Sequence, residues 1–345
     1  MADVVRWVFI VGGCAGGAFV LLVMVAQAYY RKRYLEKIVR IFEEKPFFVV
    51  PIGKPVPGAE DVHFATADGY TLRGCYLRGR RPRRGVVLFG PEFGSNRWAA
   101  LQYTNSLLEA GYDVFAFEPR NQGDSDTDPT YRPLQWVTDR DRVDTEAAVA
   151  YLKRRKDAPA DGVGVFGISK GGSVGLLVAA ADPWVRCVAT DGAYGTYTTM
   201  VPYMRRWVNI YIQSFTRVRA WLPDWFYGLV GLAAVRTSAA RRGVKFENLE
   251  RALSRYAKPL LMIHGQADTY IKPEMARTLF DQAATPAGDK ALWLVDKAKH
   301  NQALTVAGAD YQRRLCGFFD AHLADPLTPL PVPPPPSDRL ARAGR

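Results

Sequence analysis

A serine flanked by glycines is the motif in this sequence that most directly indicates chemistry. Gly167-Ile168-Ser169-Lys170-Gly171 follows an apolar run and opens a stretch of small residues, which predicts a sharp turn from a strand into a helix. Small residues two positions before and after the serine let such a turn close. A helix N-terminus favours negative charge, so the main-chain NH of Lys170 can point at a developing oxyanion. The pattern therefore predicts Ser169 as a nucleophile in acyl transfer.

A serine hydroxyl is a weak nucleophile and needs a general base. The chain has four histidines. His63 and His264 fall on predicted strands, and His322 falls near the end of the closing helix. His300 lies in a polar loop after the last predicted strand, where catalytic loops of a parallel sheet are expected. We therefore expect His300 to be the base.

The base needs an acid that orients the imidazole and stabilises its charged form. Asp268 lies just past a strand end and is the predicted acid. Asp191, after the preceding strand, is the alternative. Asp296 is closer to His300 in sequence but lies on the wrong side of the loop. The resulting chain order, Ser169, Asp268, His300, is the order typical of a strand–turn–helix nucleophile of this kind.

Apolar runs alternate with helical spacing through most of the chain. Asp68-Gly69 between two strand patterns predicts an early hairpin. Near-continuous apolar strands that alternate with helices indicate an α/β fold, a mostly parallel sheet with helices on both faces. The predicted strands cover residues 62–64, 70–77, 85–89, 112–117, 162–168, 185–190, 260–264 and 291–295, and the predicted helices 99–110, 141–155, 172–181 and a closing helix around 311–319.

Three further segments carry a family resemblance. Glu118 to Ser125 is similar to a DxRGxGxS loop, His264 to Asp268 with Pro273 resembles an HGxxDxxxP acid loop, and Leu292 to His300 resembles a histidine-bearing strand and loop. With the serine motif, they make residues from about 60 to 323 resemble the α/β-hydrolase superfamily, nearest to its serine-aminopeptidase-like and dienelactone-hydrolase-like branches. The resemblance implies an eight-stranded sheet. It also implies that the aromatic, basic insertion at about 195–256 is a helical cap over the active site.

One segment departs from the family pattern. After the third strand the family usually has His-Gly and then a residue whose NH completes the oxyanion hole. Here Pro91 and Glu92 take the His-Gly places, and Phe93 becomes the second donor beside Lys170. Glu92 would oppose negative charge on an oxyanion unless it is turned away or paired with Arg97.

The N-terminal segment predicts a membrane anchor. Residues 7–28 carry no charge and would span about 33 Å as a helix, which matches the apolar core of a bilayer. The basic cluster at 31–33 predicts that the bulk of the protein faces the cytoplasm. A cleaved signal peptide is the alternative, because Ala26-Gln27-Ala28 resembles a cleavage site. The predicted organisation is an anchor at 1–30, a basic connector at 31–58, a hydrolase domain at 59–324 and a Pro-rich disordered tail at 325–345.

Composition and charge limit the partners and cofactors that the sequence predicts. The net charge is +12 over 345 residues, yet the basic residues are dispersed and no nucleic-acid-binding motif accompanies them, so we expect no nucleic-acid partner. The four cysteines fit neither a disulfide framework nor a zinc site. No metal or organic cofactor is expected, and the sequence indicates no oligomeric state.

Together these patterns predict a membrane-anchored serine hydrolase. It would cleave carboxylic esters or thioesters through an acyl-enzyme on Ser169, and the aromatic cap and the anchor suggest apolar acyl substrates. An aminopeptidase or amidase is the alternative enzyme, although the basic cap offers no obvious acidic anchor for a substrate amine. A non-catalytic, membrane-tethered binding protein is the other alternative. The departure at Pro91-Glu92 favours it, and the intact Ser, Asp and His set argues against it.

Overall fold

An eight-stranded sheet forms the centre of the computed structural model, which describes residues 2–45, 50–211 and 222–324. The strand order is β1-β2-β4-β3-β5-β6-β7-β8. The pairings β1–β2 and β2–β4 are antiparallel, and the others are parallel. The strands are β1 Glu60–Ala65, β2 Thr71–Leu77, β3 Gly85–Gly90, β4 Tyr112–Glu118, β5 Val163–Ile168, β6 Val185–Asp191, β7 Leu260–Gly265 and β8 Lys290–Val295. The predicted fold class, an α/β-hydrolase fold with eight strands, is confirmed.

Helices cover both faces of this sheet, as the continuous apolar strands require. The helices are α1 Ala2–Glu43, α2 Ala100–Ala110, α3 Asp139–Arg154, α4 Lys170–Ala181, α5 Thr196–Tyr211, α6 Asp224–Arg242, α7 Leu249–Leu253, α8 Pro273–Gln282, α9 Ala303–Ala307 and α10 Ala309–His322. Helices α2 and α10 bury Leu107 and Phe319 against one face. Helices α3, α4 and α8 bury Leu152, Leu176 and Leu279 against the other.

The insertion between β6 and β7 contains helices α5, α6 and α7, as predicted for the cap. Met200 and Met204 of α5 are buried with Phe226 and Val230 of α6 in a core of their own. Part of the predicted cap, residues 212–221, lies outside the described residues. So does the predicted tail at 325–345.

Helix α1 extends further than the sequence pattern predicts. It runs unbroken to Glu43, so residues 31–43 of the predicted connector are helical rather than a linker. At 1.5 Å per residue its 42 residues are about 63 Å long. Apolar side chains such as Phe19 and Leu22 are exposed along its first half. From Ile10 to Glu43 the helix is long and apolar enough to cross a membrane. A signal sequence near the N-terminus can have the same length and composition.

The second half of α1 packs against the cap. Phe42 stacks on Trp136 with ring centroids 4.9 Å apart, and it meets Phe246 edge-on at 5.0 Å. The Trp136 indole NH donates to the Phe42 carbonyl at 2.8 Å. Closer to the N-terminus of the helix, the Gln27 amide donates to the carbonyl of Phe226 at 3.1 Å. The C-terminal half of α1 is therefore a structural part of the globular unit.

Candidate active site

Ser169 lies on a strained turn between β5 and α4. Its φ is 51° and its ψ is −119°, in a region that L residues rarely adopt. The turn is so tight that side chains are excluded on both sides. A Cβ on Gly167 would lie 2.4 Å from the nitrogen of Gly172, and a Cβ on Gly171 would lie 2.2 Å from the oxygen of Gly90. The two glycines of the motif are thus explained by close backbone approach, as the sequence pattern predicted.

Three side chains that are far apart in sequence form a chain of hydrogen bonds. The hydroxyl Oγ of Ser169 lies 3.0 Å from Nε2 of His300. The opposite ring nitrogen, Nδ1, lies 2.7 Å from Oδ2 of Asp268. A carboxylate only accepts, so we assign the proton to Nδ1, which leaves Nε2 to accept from the serine hydroxyl. These residues follow β5, β8 and β7, whose carboxyl ends meet at one edge of the sheet.

The other carboxyl oxygen of Asp268 is held by the main chain. Oδ1 accepts from the NH groups of Tyr270 and Ile271 at 2.8 and 2.9 Å, which fixes the carboxylate against rotation. His264 lies beside it, and its Nε2 donates to the carbonyl of Ile271 at 2.7 Å. Burial lowers the pKa of His264, which favours its neutral form. The acid therefore faces one cation, the imidazolium that would form on His300.

The two rival acids do not contact His300 by a hydrogen bond. Asp296 is exposed in the loop. Asp191 is buried, and Tyr311 donates to it at 3.1 Å. Burial raises the pKa of Asp191 to about 7, an effect that the hydrogen bond from Tyr311 and the nearby His300 only partly offset. Of the three carboxylates, Asp268 is the one in position to orient the imidazole.

The two predicted oxyanion donors line one small cavity, and Ser169 is not among its lining residues. Phe93, Lys170 and the glycine-rich turn enclose about 30 Å³ there. Within the described ranges, no hydrogen bond engages the main-chain NH of either residue. The side chain of Lys170 is directed to other partners, the carbonyl of Leu134 at 2.7 Å and Asp141 at 2.8 Å. The two NH groups therefore remain the candidate donors to an oxyanion.

Glu92 is buried and has different partners from the one that the sequence suggested. Arg97 pairs with Glu118 at 2.6 Å and with other acids, not with Glu92. Glu92 instead accepts from the hydroxyl of Tyr103 at 2.9 Å and from the amide of Asn301 at 2.5 Å. Burial raises its pKa, and these two hydrogen bonds and His300 oppose the rise.

Sequence reasoning missed several residues that surround His300. Its ring packs against Tyr270, with centroids 5.6 Å apart, and against Tyr194 at 6.5 Å. Asn301, the next residue along the chain, connects the histidine loop to Glu92. Tyr270 follows the acid by two positions, so its place beside the imidazole could have been inferred from the acid loop. Tyr194 and Asn301 carry no such local signal.

Metal chemistry has no evident site in the part of the chain that the structure covers. No group of three or more His, Cys, Asp or Glu side chains there is arranged to hold a metal ion. The site chemistry available is that of a hydroxyl, an imidazole, a carboxylate and main-chain NH donors.

Comparison with known proteins agrees with the fold. Residues 88–254 match a family described as alpha/beta hydrolase fold. The uncharacterized protein YfhR of Escherichia coli O157:H7 is 25% identical over 284 residues, which cover 79% of this chain and 86% of that protein.

Solved structures give the same result. The esterase Pf2001 of Pyrococcus furiosus superposes with a TM-score of 0.58 at 22% identity, over 81% of this chain and 99% of that one. A dienelactone hydrolase of Anabaena variabilis does so with a TM-score of 0.51 at 20% identity, over 77% and 99%. The family match over residues 88–254 and these structures agree that the chain has the α/β-hydrolase fold.

Proposed function

We propose that this protein is a serine hydrolase that cleaves carboxylic esters or thioesters with apolar acyl groups. The observation that carries the proposal is the continuous relay from Ser169 through His300 to Asp268, with heavy-atom distances of 3.0 and 2.7 Å. Both distances are within the reach that general-base activation of a serine requires. The esterase name of the structural neighbour Pf2001 is consistent with this proposal.

In the proposed mechanism, His300 Nε2 takes the proton of Ser169 as Oγ attacks the acyl carbonyl carbon. Asp268 stabilises the imidazolium that results. The carbonyl oxygen becomes an anion that accepts from the main-chain NH groups of Phe93 and Lys170. The imidazolium then protonates the leaving alcohol or thiol. Water, deprotonated by His300 in turn, attacks the acyl-enzyme; the bond to Ser169 Oγ then breaks, His300 returns the proton to Oγ, and the acid is released.

The position of Glu92 is compatible with an anion at these two NH groups. Its carboxyl oxygens are both engaged, one by Tyr103 and one by Asn301. Burial raises the pKa of Glu92, and the two hydrogen bonds and His300 oppose this rise. These engaged oxygens support a catalytic role over the non-catalytic alternative, despite the departure from the family's His-Gly pattern.

We also propose that helix α1 is retained as a membrane anchor, with the hydrolase domain in the cytoplasm. The contacts of Gln27, Phe42 and Glu43 with the cap support retention, since a cleavage after Ala28 would remove the first of them. The basic cluster that follows the apolar segment supports the orientation.

A substrate comparison on the purified full-length protein in detergent tests the enzymatic proposal. We expect hydrolysis of p-nitrophenyl esters and acyl thioesters, slower or no hydrolysis of aminoacyl anilides, and loss of all activity in Ser169→Ala. Ser254→Ala, which changes an exposed serine on the cap, is the matched control and should retain activity. Preference for aminoacyl anilides would favour the aminopeptidase alternative. Ester hydrolysis that survives in Ser169→Ala would refute the serine mechanism.

A further inference from the structure

An apolar cavity of about 260 Å³ lies under the cap. Its walls come from four parts of the chain: the end of helix α1, the segment before α3, helix α5, and Tyr270 in the loop after β7. The lining residues used below are Ile38, Ile41, Phe42, Trp136, Met204 and Tyr270. Apolar groups dominate this wall, so the cavity fits a hydrocarbon better than a polar ligand.

Aromatic rings lie between the cavity and the candidate active site. Tyr270 lines the cavity, and its ring also packs against the imidazole of His300 at 5.6 Å. Trp136 lines it as well and contacts Tyr194 edge-on at 5.9 Å, and Tyr194 in turn contacts His300. One layer of side chains therefore separates the cavity from the relay. An acyl group on Ser169 would have its carbonyl at the relay, and its chain would pass between these rings to enter the cavity.

Helix α1 is a fixed wall of the cavity rather than a passing element. Phe42 is held by Trp136 and Phe246, and Glu43 accepts from the hydroxyl of Ser238 at 2.6 Å and pairs with Arg242 at 2.9 Å. These contacts hold Ile38 and Ile41 at the cavity. The same helix carries the apolar segment that would enter the bilayer.

A second, smaller apolar cavity continues along α1 toward that segment. It shares Ile38, Ile41, Met204 and Trp207 with the first and adds Tyr30 and Tyr34, which lie earlier on the helix. Residues 28 and 41 are separated by about 20 Å along a helix axis. The two cavities together cover most of that distance, from the end of the predicted span to the wall of the larger cavity.

We propose that these cavities form one acyl-chain site, with helix α1 as its wall, that takes a single hydrocarbon chain of a lipid ester or thioester entering from the bilayer. This proposal rests on the proposed serine hydrolase function and adds its substrate class. An apolar cavity of about 150 Å³ holds a benzene ring, so by proportion the larger cavity holds on the order of ten carbon atoms. Longer chains extend along α1 past the second cavity, which at about 30 Å³ holds about one further carbon by the same proportion, toward the membrane-spanning segment.

The chain-length profile of full-length protein in detergent micelles tests this site. Each buried methylene adds about fourfold to kcat/KM, from the usual transfer free energy of a CH₂ group. For p-nitrophenyl esters we expect this rise from acetate to about ten carbons, and a plateau without a fall through about sixteen. A flat profile would overturn the site. A steep fall beyond about ten carbons would overturn its extension toward the membrane.

Substitutions at Ile41, which lines both cavities, provide the structural test. Ile41→Trp fills them, so the ratio of decanoate to acetate kcat/KM should fall at least tenfold. Ile41→Ala enlarges them and should move the plateau to longer chains. Ile52→Trp makes the same change at an exposed position and should leave the ratio at the wild-type value. An unchanged ratio in both Ile41 variants contradicts the proposal.

Fluorophosphonate labelling separates this result from failure of the proposed function. If the wild-type protein is labelled on Ser169 and hydrolyses acetate esters, yet shows no dependence on chain length or on Ile41, the acyl-chain site is wrong and the serine hydrolase remains. If the wild-type protein is neither labelled nor active, the function itself fails. Labelling of each Ile41 variant also reports that its active site has folded.

Discussion

Replacing each of two buried aspartates by asparagine gives a sharp test of the relay. Asp268 and Asp191 both follow strands at the same edge of the sheet, and the sequence alone left either as the acid. In the structure only Asp268 accepts a hydrogen bond from His300, at 2.7 Å, and Asp191 accepts from Tyr311 instead. The same chemical change at the two positions should therefore have very different kinetic effects.

The expected loss for Asp268→Asn follows from charge and from hydrogen-bond direction. Opposite unit charges about 4 Å apart at an effective dielectric constant of 20 attract by about 4 kcal/mol, which corresponds to roughly 10³ in rate. In addition, the amide oxygen would accept from the NH groups of Tyr270 and Ile271, as Oδ1 now does, so the NH₂ group would face His300. The imidazole proton would then move to Nε2, where it blocks acceptance from Ser169.

We expect kcat/KM for an acetate ester to fall by about 10³ to 10⁴ in Asp268→Asn. For Asp191→Asn we expect less than tenfold, because Asp191 makes no hydrogen bond to His300 and a carboxyl group with a pKa of about 7 is already about half neutral at pH 7. Steady-state kinetics at pH 7, with thermal unfolding to show that both variants are folded, make the measurement. Equal losses in the two variants, or a larger loss in Asp191→Asn, would refute the assignment of the acid.

Three further predictions concern stability and pH. In Asp191→Asn, the difference in melting temperature from wild type should increase as pH rises from about 4 to about 7. The raised pKa of Asp191 makes its ionisation unfavourable in the folded wild-type protein, so wild-type stability falls over that range. A pH-independent difference would contradict this. Arg120→Met should lower the free energy of unfolding by about 3–5 kcal/mol in denaturant titration, because it leaves the buried Asp144 without its partner at 2.6 Å; a loss under about 1 kcal/mol would count against the pair. Phe42→Ala should speed hydrogen exchange at the end of α1, because the contact with Trp136 is lost at a cost of about 3–5 kcal/mol; unchanged protection would mean that α1 is held elsewhere.

The strands and the relay could be predicted because their signals are local. Each strand is an apolar run bounded by turn residues, and the carboxyl ends of parallel strands necessarily meet at one edge. That rule brings Ser169, Asp268 and His300 together without knowledge of any side-chain contact. The two glycines that flank Ser169 predict its tight turn, since only glycine fits where backbone segments approach so closely.

The partners of Glu92 and the docking of helix α1 could not be predicted in the same way. Arg97 was the suggested partner because it is near in sequence, but Asn301, which is 209 residues away, donates to Glu92. The stack of Phe42 on Trp136 also joins distant parts of the chain. An apolar stripe is expected both on a helix that continues a membrane-spanning segment and on a helix that packs against a cap. The apolar pattern of α1 therefore does not show whether its second half is a connector or a cavity wall.

Peptide mapping of the fluorophosphonate adduct is the most direct test of the central claim, that the hydroxyl of residue 169 is activated by the imidazole of residue 300. We expect one adduct per chain, located on Ser169, with a labelling rate that falls by at least about 10³ in His300→Ala. Ser254→Ala should be labelled at the wild-type rate. An adduct on another residue, or labelling of Ser169 at an undiminished rate in His300→Ala, would contradict the account.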